Sequence, residues 1–140
     1  MADYLFRNVD ILDLKPSTGI GIKIPFDGAT GITSTFTTQD AIKSNLLNFL
    51  LTGKRERVLN PEFGSGLREL MFQPLTDTLR GQIEELILGG VSEFFPIVRI
   101  NDLDVSLDPD RSTTTITINY SVINTNIEDE IQINVNNGGV

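Results

Sequence analysis

The residues with the best claim to chemistry lie in one passage, RVLNPEFGSGLRELMFQPL, residues 57–75. Glu62 and Glu69 are two carboxylates in a short interval, and a glycoside hydrolase needs two acids held at a set separation across a sugar cleft. Gly64-Ser65-Gly66, ahead of a short helical run, could present backbone amides to an anion. Each feature also has a plainer reading. Glu62 accepts hydrogen bonds from loop amides or an arginine, Glu69 is a solvated helical residue, and the glycines permit a tight turn. The plainer readings carry more weight, because the GSG run lacks the spacing and lysine of a phosphate loop. The chain has no Trp and two Tyr, little aromatic surface on which to stack sugars. It also has no His and no Cys, which removes imidazole and thiolate metal ligands, Ser-His-Asp and Cys-His nucleophile systems, and the ordinary neutral-pH proton shuttle. No metal, cofactor or catalytic residue is expected. A glycoside hydrolase using Glu62 and Glu69 is the catalytic reading these residues leave open.

The 140 residues suffice for one domain. The net charge is −8, and its distribution says more than its sum. Residues 101–140 hold seven acids and only Arg111, a net of −6, whereas the first hundred hold twelve acids and ten bases. Four of those bases, Lys54, Arg55, Arg57 and Arg68, lie within residues 57–75 or just before them. They are equally a solvated helix end and a patch for an acidic protein partner. A nucleic-acid binder would show a basic face, so the partner expected here is protein. No apolar run reaches membrane-spanning length, and the first residues lack a signal peptide's basic region and apolar core. A product made in a cytoplasm, which stays soluble or joins an assembly, is expected.

N-terminal to the passage, residues 1–36 read as an extended arm or loose hairpin, poorly ordered until it lies on its own domain or a neighbour. Thr37, with Asp40 three residues on, caps a helix whose Ile42, Leu46, Phe49 and Leu50 share one face; Gly53 suits its C-terminal stop. A second helix starts near Thr76, should bury Leu79, Ile83, Leu86 and Val91, and ends at Pro96. Gly89-Gly90 inside it marks a weak point or a close approach by another backbone. Leu103-Val105-Leu107, Ile116-Ile118-Tyr120-Val122 and Ile131-Ile133-Val135 alternate with polar residues, with a turn at 108–111. The fold class is therefore α+β: two main helices on one face of a three-strand antiparallel meander, residues 37–140, preceded by the arm 1–36. The last strand, Ile131-Gln132-Ile133-Asn134-Val135, is either an ordinary member of the meander or an edge that accepts a strand from another protein.

From Asp40 to Val135 the chain resembles the sheath-initiator baseplate wedge proteins of contractile phage tails and related injection systems, often filed under a lysozyme-like name. Pro61-Glu62-Phe63-Gly64 and Leu70-Met71-Phe72, followed by a helix and three strands, carry the likeness. The family's contiguous Glu-Pro-Arg after the second helix is altered here: Phe95 stands at the Glu position, Pro96 matches, and Arg99 is displaced by two. The resemblance implies a structural protein of the virion tail baseplate, or of an equivalent particle, assembled in the host cytoplasm; the alternative function is a peptidoglycan-cleaving muramidase using Glu62 and Glu69. The structural protein would be present in six copies around the tube and bind wedge proteins, tube or hub proteins, and sheath, with no nucleic acid and no membrane. The resemblance implies a shaped connector at Pro61, Glu62, Phe63, Gly64 and Gly66, with Glu62 holding the turn or a nearby arginine. It further implies a wedge contact at Pro96 and Arg99, and a sheath edge at 131–135.

Overall fold

The computed structural model describes residue 19, residues 21–24, 34–35 and 37–136. Two short strands, β1 (Gly21–Ile22) and β2 (Ser34–Thr35), pair antiparallel with Gly21 opposite Thr35. The Ile24 amide donates to Ser44 Oγ at 3.2 Å, so this part of the arm lies on the chain's own first helix. The remainder of the expected arm falls outside the described residues.

Helix α1 (Thr38–Leu51) begins as its sequence predicts. The Thr37 hydroxyl accepts from the Asp40 amide at 3.2 Å and meets the Asp40 carboxylate at 2.8 Å. Ile42, Leu46, Phe49 and Leu50 are buried. A one-turn helix, α2 (Leu67–Leu70), follows the connector. Helix α3 (Asp77–Phe94) starts at Thr76, whose hydroxyl accepts from the Leu79 amide at 3.3 Å. Its buried stripe is Leu79, Ile83, Ile87 and Val91, a strict i, i+4 row. Leu86, expected in that row, is only half-buried, because a step of three from Ile83 rotates it to the flank of the contact.

The sheet is β3 (Val98–Asp108), β4 (Thr113–Val122) and β5 (Glu128–Asn136), antiparallel in that spatial order. The amides of Asp110 and Arg111 donate to Asp108 Oδ1 at 3.1 and 3.2 Å, an Asx-type turn joining β3 to β4. Val105, Ile116, Ile118, Tyr120, Ile131 and Ile133 point under the helices. The opposite face carries polar side chains in rows, such as Asp102–Asn119–Glu130 and Asp104–Thr117–Gln132. The α+β layering expected from the sequence is the layering observed.

Phe49 links the layers. Its ring lies 5.4–5.6 Å from those of Phe63, Phe94 and Phe95, and Phe63 and Phe94 are themselves 5.5 Å apart. Edge-to-face contacts of this kind add to the burial of the rings. The ring also explains half of the Gly89-Gly90 pair. A Cβ on Gly90 would overlap the Phe49 ring, whereas one on Gly89 would meet nothing. The close approach is thus made by an aromatic side chain, not by a backbone. Gly81 is equally open. Gly81→Ala should therefore stabilise the protein by roughly 0.5–1 kcal/mol through helix propensity. Gly90→Ala should destabilise it by about 1–3 kcal/mol despite the same propensity gain, because Phe49 has no room to move. Chemical denaturation of the two variants reads the opposite signs directly.

Candidate functional site: the connector and the open edge of the sheet

The connector closes the C-terminal end of α1. Thr52 leaves the helix in extended backbone, and Gly53 does not supply the left-handed stop expected of it. The last carbonyls are satisfied by residues further along the chain. The Ser65 amide donates to the carbonyls of Phe49 and Thr52 at 3.1 and 3.2 Å. The Ser65 hydroxyl donates to the Leu50 carbonyl at 2.8 Å and accepts from the Leu67 amide at 3.1 Å. One buried serine therefore ends α1 and starts α2. Gly64, at φ 129°, passes so close that a Cβ would lie 2.7 Å from the Gly53 carbonyl oxygen and 2.8 Å from that of Thr52. Gly66 sits at φ 68°. Two amides that an anion would need, those of Ser65 and Leu67, are already engaged, so the run is a cap and not a phosphate cradle.

Glu62 is exposed and takes part in none of the hydrogen bonds or ion pairs of the described residues. The acid that holds the turn is Glu56, which sequence reasoning missed. Its carboxylate accepts from the Gly53 amide at 3.0 Å and lies 3.8 Å from Arg68. Arg55 (φ 68°) donates its amide to Pro61 at 2.9 Å, and the Arg57 guanidinium stacks 3.9 Å from the Phe63 ring centroid. The signal available was the reach of Glu56 back to a helix end three residues earlier. Glu62 borders a surface cleft of about 230 Å³ beside α3 with Glu85 and Glu93; Glu69 is not part of its lining. The pair that a muramidase would need does not share that cleft. Ser65→Ala should strand both the Leu50 carbonyl and the Leu67 amide, lowering stability by about 1–3 kcal/mol in urea denaturation.

The second feature is the edge of the sheet. The Val122 amide donates to the Ile127 carbonyl at 3.0 Å, in register with the β4–β5 ladder. Antiparallel pairs alternate, so the backbone groups of 129, 131, 133 and 135 face β4 and those of 130, 132, 134 and 136 face away from it. The outward amide of Glu130 is met by Asp129 Oδ1 at 2.8 Å. Gln132 and Asn134 point theirs at the open edge. The same phase, carried across β4, turns Val105 outward on β3, where Arg80 Nε donates to its carbonyl at 2.6 Å. β3 also carries a bulge between Ile100 and Asp102. A bulged, side-chain-capped edge is a protected one. Of the two edges, β5 is the straight and open one.

The expected wedge-contact residues come together. Pro96 and Arg99 are both exposed and line one shallow surface cleft of about 250 Å³ with Leu88 and Ser92. At the start of β5, partial burial alone would raise the Asp129 carboxyl pKa. Hydrogen bonds from the Glu130 amide, Lys43 (3.1 Å) and Gln39 (3.3 Å) outweigh it and hold the carboxyl below its ordinary value. A depressed carboxyl stabilises the fold above its unfolded value and loses that contribution as pH falls through the folded value. The wild type should thus lose more stability than Asp129→Asn between about pH 5 and about pH 2, the two converging at the acid end, in denaturant midpoints taken across that range.

No groups of three or more acids placed to hold a metal occur among the described residues, and no described helix is long and apolar enough to cross a membrane. The geometry is that of a small α+β module with one bulged, partly capped sheet edge and one regular edge. The model of the baseplate wedge protein gp25 family matches residues 37–127, and the chain belongs to that family of contractile-tail baseplate proteins. It is 34% identical over 85 residues to baseplate wedge protein gp25 of Enterobacteria phage T4; the match spans 59% of this chain and 63% of that protein's length. Its fold is similar to that of a protein named "putative tail lysozyme" from Geobacter sulfurreducens (TM-score 0.66, 22% identity, 74% of this chain and 95% of the other). It is also similar to a chain of the anti-feeding prophage baseplate, determined by cryo-electron microscopy with 6-fold symmetrisation (TM-score 0.57, 18% identity, 91% of each chain).

Proposed function

We propose that this protein is a structural, non-enzymatic baseplate component that joins the baseplate to the first sheath ring and templates sheath assembly by accepting a strand along β5. The observation that carries the proposal is the asymmetry of the sheet. Arg80 takes up the outward Val105 carbonyl and a bulge interrupts the β3 edge, while β5 pairs without a register shift and presents the outward backbone groups of Gln132 and Asn134. A strand added there would be held by ladder bonds, with side-chain alternation setting its register. The connector 61–66 is the rigid link between α1 and the rest of the domain, and the cleft at Pro96 and Arg99 is the surface offered to the wedge. Membership of the baseplate wedge family supports an assembly role in a phage or phage-like particle, and the symmetry of the anti-feeding prophage baseplate supports six copies. The domain is 37–140, preceded by the arm 1–36.

Asn134→Pro tests the proposal. Its amide faces away from β4, so no ladder bond inside the domain is lost, while the open edge loses a donor and is distorted. The variant should melt within a few degrees of the wild type and fail to seed sheath polymerisation. A folded variant that seeds sheaths of normal length would sink the reading.

A further inference from the structure

The open edge of β5 does not end in bare solvent. At its C-terminal end, Val135 and Asn136 form one wall of a mainly apolar cleft of about 400 Å³ whose lining also includes Leu51, Leu67, Met71 and Phe72, with Arg68 the one charged residue in it. Phe72 and Leu51 are 77% and 52% exposed, large apolar surface with nothing over it among the described residues. The cleft lies on the helix-covered side of the sheet, the side to which Ile131, Ile133 and Val135 point. At the other end of the strand, Glu128 and Glu130 are exposed on the uncovered face. Asp102 stands in the same cross-strand row as Glu130 and Asp104 in the next, against the single Arg99 in the row of Glu128, so that face is net acidic.

We propose that the cleft is an anchor pocket that selects which strand is added to β5. Its occupant is an extended segment of the sheath protein that alternates apolar with polar residues. That segment brings a large apolar side chain beside Val135 and a lysine or arginine beside Glu130. The proposal rests on the strand-addition reading and adds the chemistry of the partner to it. Only an extended chain can use the backbone groups of Gln132 and Asn134 and fill the cleft at once. In such a chain every second side chain turns toward the helices, next to Ile131, Ile133 and Val135. The others turn to the acidic face, where a basic residue is complementary. From Glu130 to Val135 is five residue steps, roughly 17 Å of strand, so a segment of about six residues carries both features. The ladder bonds are sequence-independent; the cleft and the glutamates supply the choice of segment.

The test uses overlapping peptides tiling the sheath protein of the same particle, with affinities measured by calorimetry on the full chain. The tightest peptide should contain the alternation just described. Leu51→Asp combined with Phe72→Asp, two exposed positions, should weaken it by about tenfold or more without moving the thermal melt. Glu130→Lys should weaken it too. Leu59→Asp, a fully exposed apolar residue on the connector, should leave it unchanged. Normal binding by the Leu51/Phe72 double variant, with loss in Asn134→Pro, overturns the anchor pocket and leaves strand addition standing. Normal binding by both overturns strand addition itself. A dimer of the free chain that dissociates in the double variant would make a second copy the occupant. A chain ended at Asn136 that binds the peptide about tenfold tighter would make residues 137–140 the occupant. Either result also overturns the proposal.

Discussion

The contact on which most of the structure depends is the crossing of the connector over the end of α1. Helix ends leave carbonyls without partners, and burying them so is costly. Ser65 removes that cost with its amide and its hydroxyl together. The geometry works because Gly64 has no side chain to hold the backbones apart. Once the crossing is made, Phe63 is delivered to Phe49 and Phe94, and α2 starts at the same serine. Phe49 in turn fills the space that Gly90 leaves on α3. The cap therefore fixes the relative position of both long helices, and through them the face they present to the sheet.

Much of this was legible in the residues and some was not. The helix starts at Thr37 and Thr76, the stop before Pro96 and the three alternating strands follow from local chemistry, because caps, periodicity and turn residues act over a few positions. Leu86 was misplaced because an apolar run with several hydrophobic residues allows more than one face, and only the partner chooses between them. The connector was recognised as a turn, but its logic was not. Glu62 stands beside Phe63 and looks like the acid in charge, whereas Glu56 does that work across the loop from an unremarked position. Ser65 carried no pattern at all, since a cap supplied from fifteen residues away in sequence has no local signature. The openness of the β5 edge was suggested by alternation and position. The capping of the Val105 carbonyl on the β3 edge was not, because Arg80 reaches it from a different element.

The two edges follow from one phase rule. Backbone groups on a strand alternate between its two sides, so the bond of Val122 to Ile127 decides which residues of β5 are outward and, through β4, which residues of β3 are. Val105 is outward and buried on its side chain, and a basic residue on α3 lies above it to take up its carbonyl. Nothing comparable stands over Gln132 and Asn134 among the described residues. An unpaired edge exposes the chain to unwanted pairing, and short length or charge is the usual protection. Here protection is uneven: Glu128, Asp129 and Glu130 cluster at one end of the strand, and the apolar cleft opens at the other.

An edge that is to template another strand must itself be held still, since any disorder in it would have to be removed on pairing. Three features of β5 meet that need. Ile131 and Ile133 are buried under the helices, so the strand cannot peel away without exposing core. Its start is tied to α1 by Lys43 and Gln39 through Asp129, a contact between elements some ninety residues apart in sequence. Its end runs beside α1 and α2, the two helices that Ser65 joins. The cap that organises the core thus also stands behind the far end of the edge, and the connector, distant from β5 in sequence, is joined to that surface through α1 and α2.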